Sequence, residues 1–306
     1  MKIALIKCSG GLNIGNEFIN AGGEWLLRQV LPEASFYSFE FYDSSIGDDY
    51  QFASKPLTDS SFEFISSCDL AIVFGGSILS RRTRSILKYF STLKCRKFLM
   101  GAGCWEYDAA EKELCREAVT WFDGIITRDE RSFGWFEGAS NVHSGMDFAF
   151  FAKDALALPN EKKGYAVINM DMIREHRARI KEEFSNYKKT FGTVYVTENT
   201  HTPYYDVPGY LFMSYWESFY ALYANASEVL TNRIHTSVVC TTNQVPFRYD
   251  GADQGGDLGR NTLFGRVGMK LEKGRFYDRD ALIEVAPMIE KRKSEMKSTV
   301  GHLLVI

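Results

Sequence analysis

One stretch indicates the fold most clearly, and it reads Thr231-Asn232-Arg233-Ile234-His235-Thr236-Ser237-Val238-Val239-Cys240. The apolar pair Val229-Leu230 precedes it, and the apolar pair Val238-Val239 lies near its end. This order predicts a strand end, a tight turn and the first turn of a helix. In an α/β sheet, ligands bind at the carboxyl ends of strands, beside helix N-termini whose free N–H groups attract anions.

Two side chains give this predicted turn its chemistry. Arg233 carries a fixed cation that can grip a phosphate or a carboxylate with two hydrogen bonds. His235 carries an imidazole that titrates near neutral pH and can move a proton. The residues alone leave a second interpretation open, in which a surface arginine lies beside a packed histidine. The segment with Ile234 at its centre is therefore a candidate site for anion binding and proton transfer.

Length and composition define the class of protein. The chain has 306 residues, which fits one large domain or two domains of about 150 residues each. It is 45% hydrophobic and 25% charged, as an ordinary globular protein is. A formal net charge of -3 argues against broad nucleic-acid binding, which requires a strongly basic surface. We therefore expect no nucleic-acid partner.

Cysteine usage and the N-terminus bear on the compartment. The six cysteines are scattered without a CxxC pair, so we expect buried, reduced thiols in a cytoplasmic protein and no metal site. The segment Met1–Lys7 reads as a strand and not as a signal peptide. No run approaches the ~18 apolar residues of a membrane span. We expect no transmembrane segment, which leaves peripheral association with a membrane open.

Strand-like and helix-like segments alternate along the first half of the chain. Each apolar run is followed by glycines or by a polar turn and then by a helical pattern, which predicts a parallel sheet with crossover helices. The predicted strands are Ile3–Ile6, Ser35–Phe39, Leu70–Phe74, Lys97–Met100 and Gly124–Thr127.

The same pattern begins again in the second half, with strands predicted at Tyr165–Ile168, Thr193–Thr197 and Glu228–Thr231. Between the halves, the polar segment 154–164 is the predicted linker. We therefore predict two Rossmann-like α/β domains that face a cleft, at residues 1–155 and 156–306. A C-terminal helix is predicted near 280–297, with a break or kink at Pro287. The glycine-rich segment 250–261 is either a loop that closes over a ligand or a surface excursion.

Candidate ligand-binding residues in the first half follow predicted strands. Three are small-residue segments whose backbone amides can approach a ligand closely, although tight packing explains them equally well. Arg128 follows a fourth strand and suits bidentate binding of an anion, unless it forms a structural pair that caps the next helix. The candidates are Asn13, Gly15, Asn16, Gly75, Gly76, Ser77, Gly103 and Arg128.

Taken in order, these elements resemble the polysaccharide pyruvyl transferase family. The parallels cover most of the chain: an Asn-x-Gly-Asn turn, a Gly-Gly strand end, a Gly-x-Gly, an Arg-Asp-x-x-Ser element, an aspartate near the domain junction and an Arg-Ile-His element. In this sequence they are Asn13–Asn16, Gly75-Gly76, Gly101–Gly103, Arg128–Ser132, Asp147 and Arg233–His235. Ser77 departs from a three-glycine version of the second element.

The resemblance implies a two-domain fold of the glycosyltransferase-B (GT-B) type. It also implies a transferase that moves a pyruvyl group from phosphoenolpyruvate, as a ketal, onto hydroxyls of a glycan or lipid-linked saccharide, with no further cofactor. By the resemblance, Arg233 and His235 are catalytic and Arg128 binds the donor. Several members use a further basic residue downstream, where Gly255 stands here and Arg260 is the nearest cation.

Two other functions are compatible with the residues. The first is a nucleotide-sugar-dependent glycosyltransferase of the GT-B type, in which Arg233 and His235 bind a diphosphate and a carboxylate such as Glu228 binds the ribose. The second is a two-domain protein that closes on a small anion without catalysis.

Overall fold

The computed structural model describes residues 1–8, 13–42, 59–136, 138–159, 161–170, 173–199, 206–251 and 262–304. Residues 252–261, which hold Gly255, Arg260 and most of the predicted glycine-rich loop, lie outside the described residues.

The first half forms a six-stranded sheet whose neighbouring strands all pair in parallel. Its strands are β1 Lys2–Cys8, β2 Ser35–Tyr42, β3 Leu70–Leu79, β4 Arg96–Cys104, β5 Gly124–Thr127 and β6 Val142–Ser144. The spatial order is β2-β1-β3-β4-β5-β6. Because parallel strands place their carboxyl ends at one edge, the segments that follow β3, β4 and β5 lie close together.

The second half forms a five-stranded sheet. Its strands are β7 Tyr165–Asn169, β8 Thr193–Thr197, β9 Glu228–Thr231, β10 Phe247–Tyr249 and β11 Phe276–Tyr277. The spatial order is β11-β10-β9-β7-β8, and only the two-residue edge strand β11 pairs in the antiparallel sense among the described strands. The predicted fold, two Rossmann-like α/β units, is confirmed.

Helices connect and cover the two sheets. They are α1 Ile14–Val30, α2 Asp59–Ser66, α3 Arg84–Phe90, α4 Ala109–Trp121, α5 Glu130–Gly134, α6 Ala152–Leu156, α7 Ile173–Tyr187, α8 Trp216–Ala224, α9 Ile234–Thr242 and α10 Arg279–Leu304. Turns of 3-10 helix lie at Arg81–Thr83 and Phe148–Phe151, and a short helical segment lies at 262–265.

Helix α1 belongs to the apolar cores of both halves. It begins at its cap residue Asn13, whose Oδ1 accepts a hydrogen bond from Gly15 N at 3.1 Å. Four residues into the helix, Phe18 is fully buried and meets the rings of Trp216 and Tyr220 of α8 edge-on. Edge-to-face aromatic pairs of this kind stabilise by about 0.5–1.5 kcal/mol beyond their burial. The start of α1 is thereby fixed against the second half.

Glycines inside β3 and β4 correct one expectation. Both strands continue through the glycines at which we expected them to end. A Cβ atom at Gly75 would lie 2.2 Å from the carbonyl group of Gly101, so the two backbones touch where no side chain fits. Gly76 and Gly101 have φ angles of 131° and 71°, which favour glycine. The glycines therefore allow two strands to approach and bend, and they do not form turns.

The last helix connects the two halves. It does not break at Pro287, contrary to one form of the prediction. The residue four positions earlier, Ile283, is 45% exposed, so water can bind the carbonyl that a proline leaves without a partner. Near the helix end, Leu303 O accepts a hydrogen bond from Arg96 Nη2 of the first half at 3.3 Å. Among the described residues, no helix combines the length and apolar character needed to span a bilayer.

Candidate functional site

The carboxyl edges of the two sheets meet at the start of α1. Ile14 N donates a hydrogen bond to Asn199 O, just beyond β8, at 3.0 Å. Arg233 Nη2 donates to Asn13 Oδ1 at 2.6 Å, although the two residues lie in opposite halves of the chain. These contacts place the Asn-x-Gly-Asn segment of the first half directly against the Arg-Ile-His segment of the second half.

The predicted strand, turn and helix around Arg233 are confirmed. Strand β9 ends at Thr231, whose Oγ1 accepts a hydrogen bond from Arg233 N at 2.9 Å and so closes the turn. Arg233 then takes the cap position of α9, and His235 lies in the first helical turn. The first N–H groups of a helix have no partner within it, so this end of α9 carries partial positive charge beside the guanidinium.

His235 is buried with its hydrogen-bonding capacity unused. Its Nε2 lies 3.8 Å from Asp147 Oδ2, which is too long for a hydrogen bond, and has no other partner in the described parts of the chain. Burial lowers the pKa of His235, and the charges of Arg128 and Arg233 lower it further, while Asp147 opposes them. The lowered pKa favours the neutral imidazole at pH 7.

Gly15 makes the space that the imidazole occupies. A Cβ atom at this position would lie 2.3 Å from His235 Nδ1, 2.9 Å from Cγ and 3.1 Å from Cβ. We expect Gly15→Ala to lower the free energy of unfolding by roughly 1–3 kcal/mol, because overpacking forces a buried side chain out of place. Chemical denaturation would measure the loss, and catalytic activity should fall with it.

A matched control and a second substitution test this cause. Gly134 is also helical, and a Cβ atom there would meet nothing within 4 Å among the described residues. Gly134→Ala should therefore leave stability unchanged or raise it by roughly 0.5–1 kcal/mol. Combining Gly15→Ala with His235→Ala should remove the destabilisation, because the clashing ring is gone. Persistence of the full loss in the double variant would show that the clash lies elsewhere.

Arg128 is buried, and its fork is already engaged. Its side chain is 2% exposed, and Nη1 donates to Asp147 Oδ2 at 3.3 Å while Nη2 donates to Ser77 Oγ at 2.7 Å. To reach β3 from the end of β5, the side chain passes over Gly103 of β4, where a Cβ atom would lie 2.4 Å from Arg128 Nε. The structure thus gives Gly103 a definite task, which is to leave room for the arginine.

Asp147 links the arginine to the histidine. Burial alone would raise the pKa of this carboxyl, but His235, Arg128 and the N–H of Ala149 together lower it. Burial likewise acts to lower the pKa of Arg128. The opposing effects of its neighbours, with that of Asp147 the largest, together outweigh burial, so the pKa of Arg128 is raised. Both groups therefore remain charged. In the sequence, Asp147 was only one element of a family resemblance, since a lone aspartate beside Phe148 carries no local chemical signal.

The Arg-Asp-x-x-Ser element has a structural part. Asp129 caps α5, because its Oδ1 accepts a hydrogen bond from Ser132 N at 2.7 Å. Its Oδ2 accepts hydrogen bonds from Ser132 Oγ at 2.9 Å and Tyr107 Oη at 3.0 Å. Arg128 Nε lies 3.9 Å from this carboxylate, which is an ion-pair distance but too long for a hydrogen bond. The structural alternative, an Arg128–Asp129 pair that caps the next helix, therefore agrees with the structure, and Asp129 makes the cap hydrogen bonds.

A buried polar network that the sequence did not reveal supports the start of α9. Asn169 Oδ1 accepts hydrogen bonds from Thr231 Oγ1 at 3.0 Å and Thr236 Oγ1 at 2.7 Å. Asn199 Oδ1 accepts from Asn169 Nδ2 at 2.9 Å and Tyr223 Oη at 2.8 Å. Satisfied networks in a low-dielectric interior rigidify the structure, so β9 and α9 hold Arg233 and His235 in fixed positions.

The structure separates the predicted residues into groups. Those that surround the cleft are Asn13, Gly15, Ser77, Gly103, Arg128, Arg233 and His235. Gly75 and Gly76 serve strand packing, and Asn16 and Ile234 are buried beside the site. Arg260 lies outside the described residues. No three His, Cys, Asp or Glu side chains of the described residues are placed to hold a metal ion.

Nucleotide-sugar enzymes are among the solved structures with a similar fold. The chain is similar to a UDP-GlcNAc 2-epimerase from Neisseria meningitidis bound to UDP-GlcNAc, with 13% identity, a TM-score of 0.57 and coverage of 97% of this chain and 94% of that one. It is also similar to the Methanocaldococcus jannaschii UDP-GlcNAc 2-epimerase in complex with UDP-GlcNAc and UDP, with 12% identity, a TM-score of 0.58 and 99% of both chains covered. At such low identity these likenesses show the fold alone, and the fold is of the GT-B type.

Sequence comparison is more specific about the family. No curated protein matches the chain by sequence. The family model described as polysaccharide pyruvyl transferase matches residues 13–249, from the cap of α1 to the end of β10. The match therefore includes Asn13, Arg128, Asp147, Arg233 and His235, the residues that the structure brings to the cleft. The chain belongs to the polysaccharide pyruvyl transferase family, a family of transferases.

Proposed function

We propose that this transferase takes its pyruvyl group from phosphoenolpyruvate and installs it as a ketal on two hydroxyls of a glycan or lipid-linked saccharide. One observation carries the proposal. A buried histidine, with an Nε2 that has no hydrogen-bond partner among the described residues, lies between a buried carboxylate and an arginine-capped helix start at the cleft. Such a site is suited to bind an anion and to transfer a proton to it.

The donor has the charges that this cleft accommodates. Phosphoenolpyruvate carries a phosphate and a carboxylate, and both suit a guanidinium and a helix N-terminus. Arg233 lies at the contact between α1 and α9, held by Asn13, so its fork is fixed before the ligand arrives. The Arg128 charge lies deeper, behind Asp147 and Ser77.

The reaction needs one proton in and two hydroxyl protons out. A proton adds to C3 of the donor, which turns the methylene into a methyl group and makes C2 electrophilic. One acceptor hydroxyl bonds to C2 and loses its proton, phosphate leaves with its bridging oxygen, and the second hydroxyl bonds to C2 and loses its proton. The products are the ketal and inorganic phosphate. We assign to His235 the role of donating this proton to C3. The anionic donor first converts the imidazole of His235 to the imidazolium form.

The pH dependence of turnover follows from the lowered pKa of His235. A general acid must be protonated, and the protonated fraction falls as the pH rises through the pKa of the folded protein. That pKa lies below the ordinary value of about 6.5. As the pH rises, kcat/KM should therefore begin to fall below pH ~6.5 and should then decrease by about tenfold per pH unit. The bound donor raises this pKa, so the decline in kcat should occur at higher pH. Initial rates measured across the pH range would show that kcat declines at higher pH than kcat/KM does. A decline of both constants at the same pH would contradict this prediction.

The alternative function is a nucleotide-sugar glycosyltransferase, which the fold accommodates. Its candidate ribose ligand is poorly placed, because Glu228 lies at the start of β9, at the opposite edge of the sheet from Arg233. Glu228 Oε1 also accepts a hydrogen bond from Tyr187 Oη at 2.7 Å. This position favours the pyruvyl transfer that we propose.

The deciding experiment measures phosphate released from phosphoenolpyruvate by the purified protein. Release that depends on an added glycan acceptor, with a ketal detected by mass spectrometry of the product, would support the proposal. Binding of UDP- or GDP-sugars without any response to phosphoenolpyruvate in thermal-shift assays would replace it with the glycosyltransferase. Donor binding without turnover on any acceptor would indicate the non-catalytic anion-binding protein.

Partners and location follow as further parts of the proposal. The partners are the donor and the saccharide acceptor, with no cofactor and no nucleic acid. All six cysteines are buried and free, which supports a cytoplasmic location, since reducing compartments keep thiols in this state.

A further inference from the structure

Ser77 is a more exposed residue that contacts the buried guanidinium of Arg128. The arginine side chain is 2% exposed, so a ligand in the cleft cannot grip its fork as the side chain stands. Ser77, in contrast, is half-buried and lies on β3 toward its carboxyl end. Its Oγ accepts the hydrogen bond from Arg128 Nη2 at 2.7 Å.

That hydrogen bond fixes the direction of the serine hydroxyl. Because Oγ accepts from a guanidinium, which has donors only, the hydroxyl proton must point away from Arg128. In the described part of the chain, this proton meets no acceptor. A hydroxyl that accepts a charged donor also becomes a stronger donor itself, because hydrogen bonds in a chain polarise one another. Ser77 thus offers a polarised O–H to an anion.

The path of the arginine shows that the contact is built into the fold. Arg128 begins at the end of β5 and crosses the intervening strand β4 at Gly103, where a Cβ atom would lie 2.4 Å from Arg128 Nε and 3.0 Å from Cγ. On the way, Nη1 is held by Asp147 Oδ2 at 3.3 Å. The guanidinium is therefore anchored on one side, and its other terminal nitrogen meets the hydroxyl of Ser77.

We propose that Ser77, and not Arg128, is the residue of the first half that contacts the anionic donor, through a hydroxyl that Arg128 polarises from behind. Arg128 is then a positioning residue. This inference rests on the proposed function for the identity of the donor. The group contacted is a phosphate or a carboxylate, whose oxygens accept an O–H hydrogen bond in the same way.

A purely structural role for Ser77 predicts the opposite effect of its removal on anion affinity. If the serine only braces Arg128, deleting its hydroxyl leaves Nη2 without a partner and open toward the cleft. An anion would then bind the guanidinium directly, with affinity equal to or greater than that of the wild type. If the serine contacts the anion, the same deletion removes a charge-assisted hydrogen bond and weakens binding.

The test compares dissociation constants of the full-length protein by isothermal titration calorimetry, with phosphoenolpyruvate, inorganic phosphate and pyruvate as separate probes. Ser77→Ala should weaken phosphoenolpyruvate binding by about tenfold to a hundredfold, as expected for a hydrogen bond to a charged group. Ser77→Thr, which keeps the hydroxyl, should bind within about threefold of wild type. Ser91→Ala, on a serine whose exposed hydroxyl donates a hydrogen bond to Lys88 O, serves as the control.

Each outcome supports or overturns the inference. Weakening confined to phosphate or to pyruvate supports it and identifies the group contacted. Unchanged or tighter binding by Ser77→Ala overturns it, and if that variant does not fold, Ser77→Gly removes the hydroxyl in its place. Wild-type protein that binds phosphate but not phosphoenolpyruvate would refute the proposed function, and the phosphate arm would still test Ser77. Wild-type protein that binds none of the three probes would refute both.

Discussion

His235→Ala should abolish most pyruvyl transfer while leaving the fold intact. A general acid contributes about 10²–10⁴-fold, so kcat should fall by that factor. Stability should change little, by roughly 1–2 kcal/mol at most, because Nε2 has no hydrogen-bond partner among the described residues that the deletion could strand. Asp147 retains its hydrogen bonds from Arg128 Nη1 and Ala149 N. Initial rates and chemical denaturation on the same preparation would measure both quantities.

A second histidine supplies the control. His302 is exposed near the end of α10, and its Nδ1 forms a hydrogen bond with Ser298 O of the same helix, so His302→Ala should retain full activity and stability. His235→Gln, which keeps a polar side chain but cannot titrate, should be as inactive as the alanine variant. Turnover within a factor of three of wild type in either His235 variant would exclude the histidine as the proton donor.

The sequence predicted the strand, turn and helix around Arg233 because local signals agree there. Val229-Leu230 forms the buried end of β9, Thr231 closes the turn, and α9 begins one residue after Arg233. The alternation of apolar runs with helical patterns predicted both parallel sheets for the same reason. Each of these features depends on neighbours in the chain, which a single sequence displays directly.

Long-range geometry explains what the sequence could not show. Arg128 was expected to present its fork to the donor, whereas the structure commits that fork to Asp147 and Ser77. The partners lie 19 and 51 positions away, and only the order of the strands brings them together. Gly103 was a candidate ligand contact, yet its lack of a side chain serves the arginine that passes over it. Patterns of small residues therefore predicted correctly which edge of the sheet holds the site, but they did not predict the role of each residue.

The arrangement also explains why the histidine is kept unprotonated before the donor binds. Burial and the charges of Arg128 and Arg233 disfavour the imidazolium form, and Asp147 favours it. An arriving anion adds a second favourable charge and shifts the balance toward protonation. Under the proposed function, the acid thus forms mainly in the complex with the donor, which is the molecule that receives its proton.

Asp147→Asn should therefore change both catalysis and stability. Removing the negative charge of Asp147, which favours the imidazolium, lowers the pKa of His235 further, so the decline in kcat/KM should move to lower pH. At pH 7.5 we therefore expect a lower kcat/KM than that of the wild type, because a smaller fraction of the enzyme carries the protonated imidazole. The donor phosphate ionises near pH ~6 with the wild type and with the variant alike. Its ionisation therefore does not change the difference in pH between the two profiles. Rate profiles of wild type and variant would measure it.

Stability responds to the same substitution because Arg128 loses its counter-ion. Both partners are almost fully buried, with 2% and 1% of their side chains exposed, and removing one partner of such a pair costs about 3–5 kcal/mol. Asp206→Asn is the matched control, because that aspartate pairs with Arg177 at the surface, with 54% and 47% exposed, where a pair contributes under about 1 kcal/mol. If Asp147→Asn lost activity without displacing the pH profile, Asp147 would hold Arg128 but would not tune His235. A displaced profile with unchanged stability would show instead that the buried arginine finds another partner.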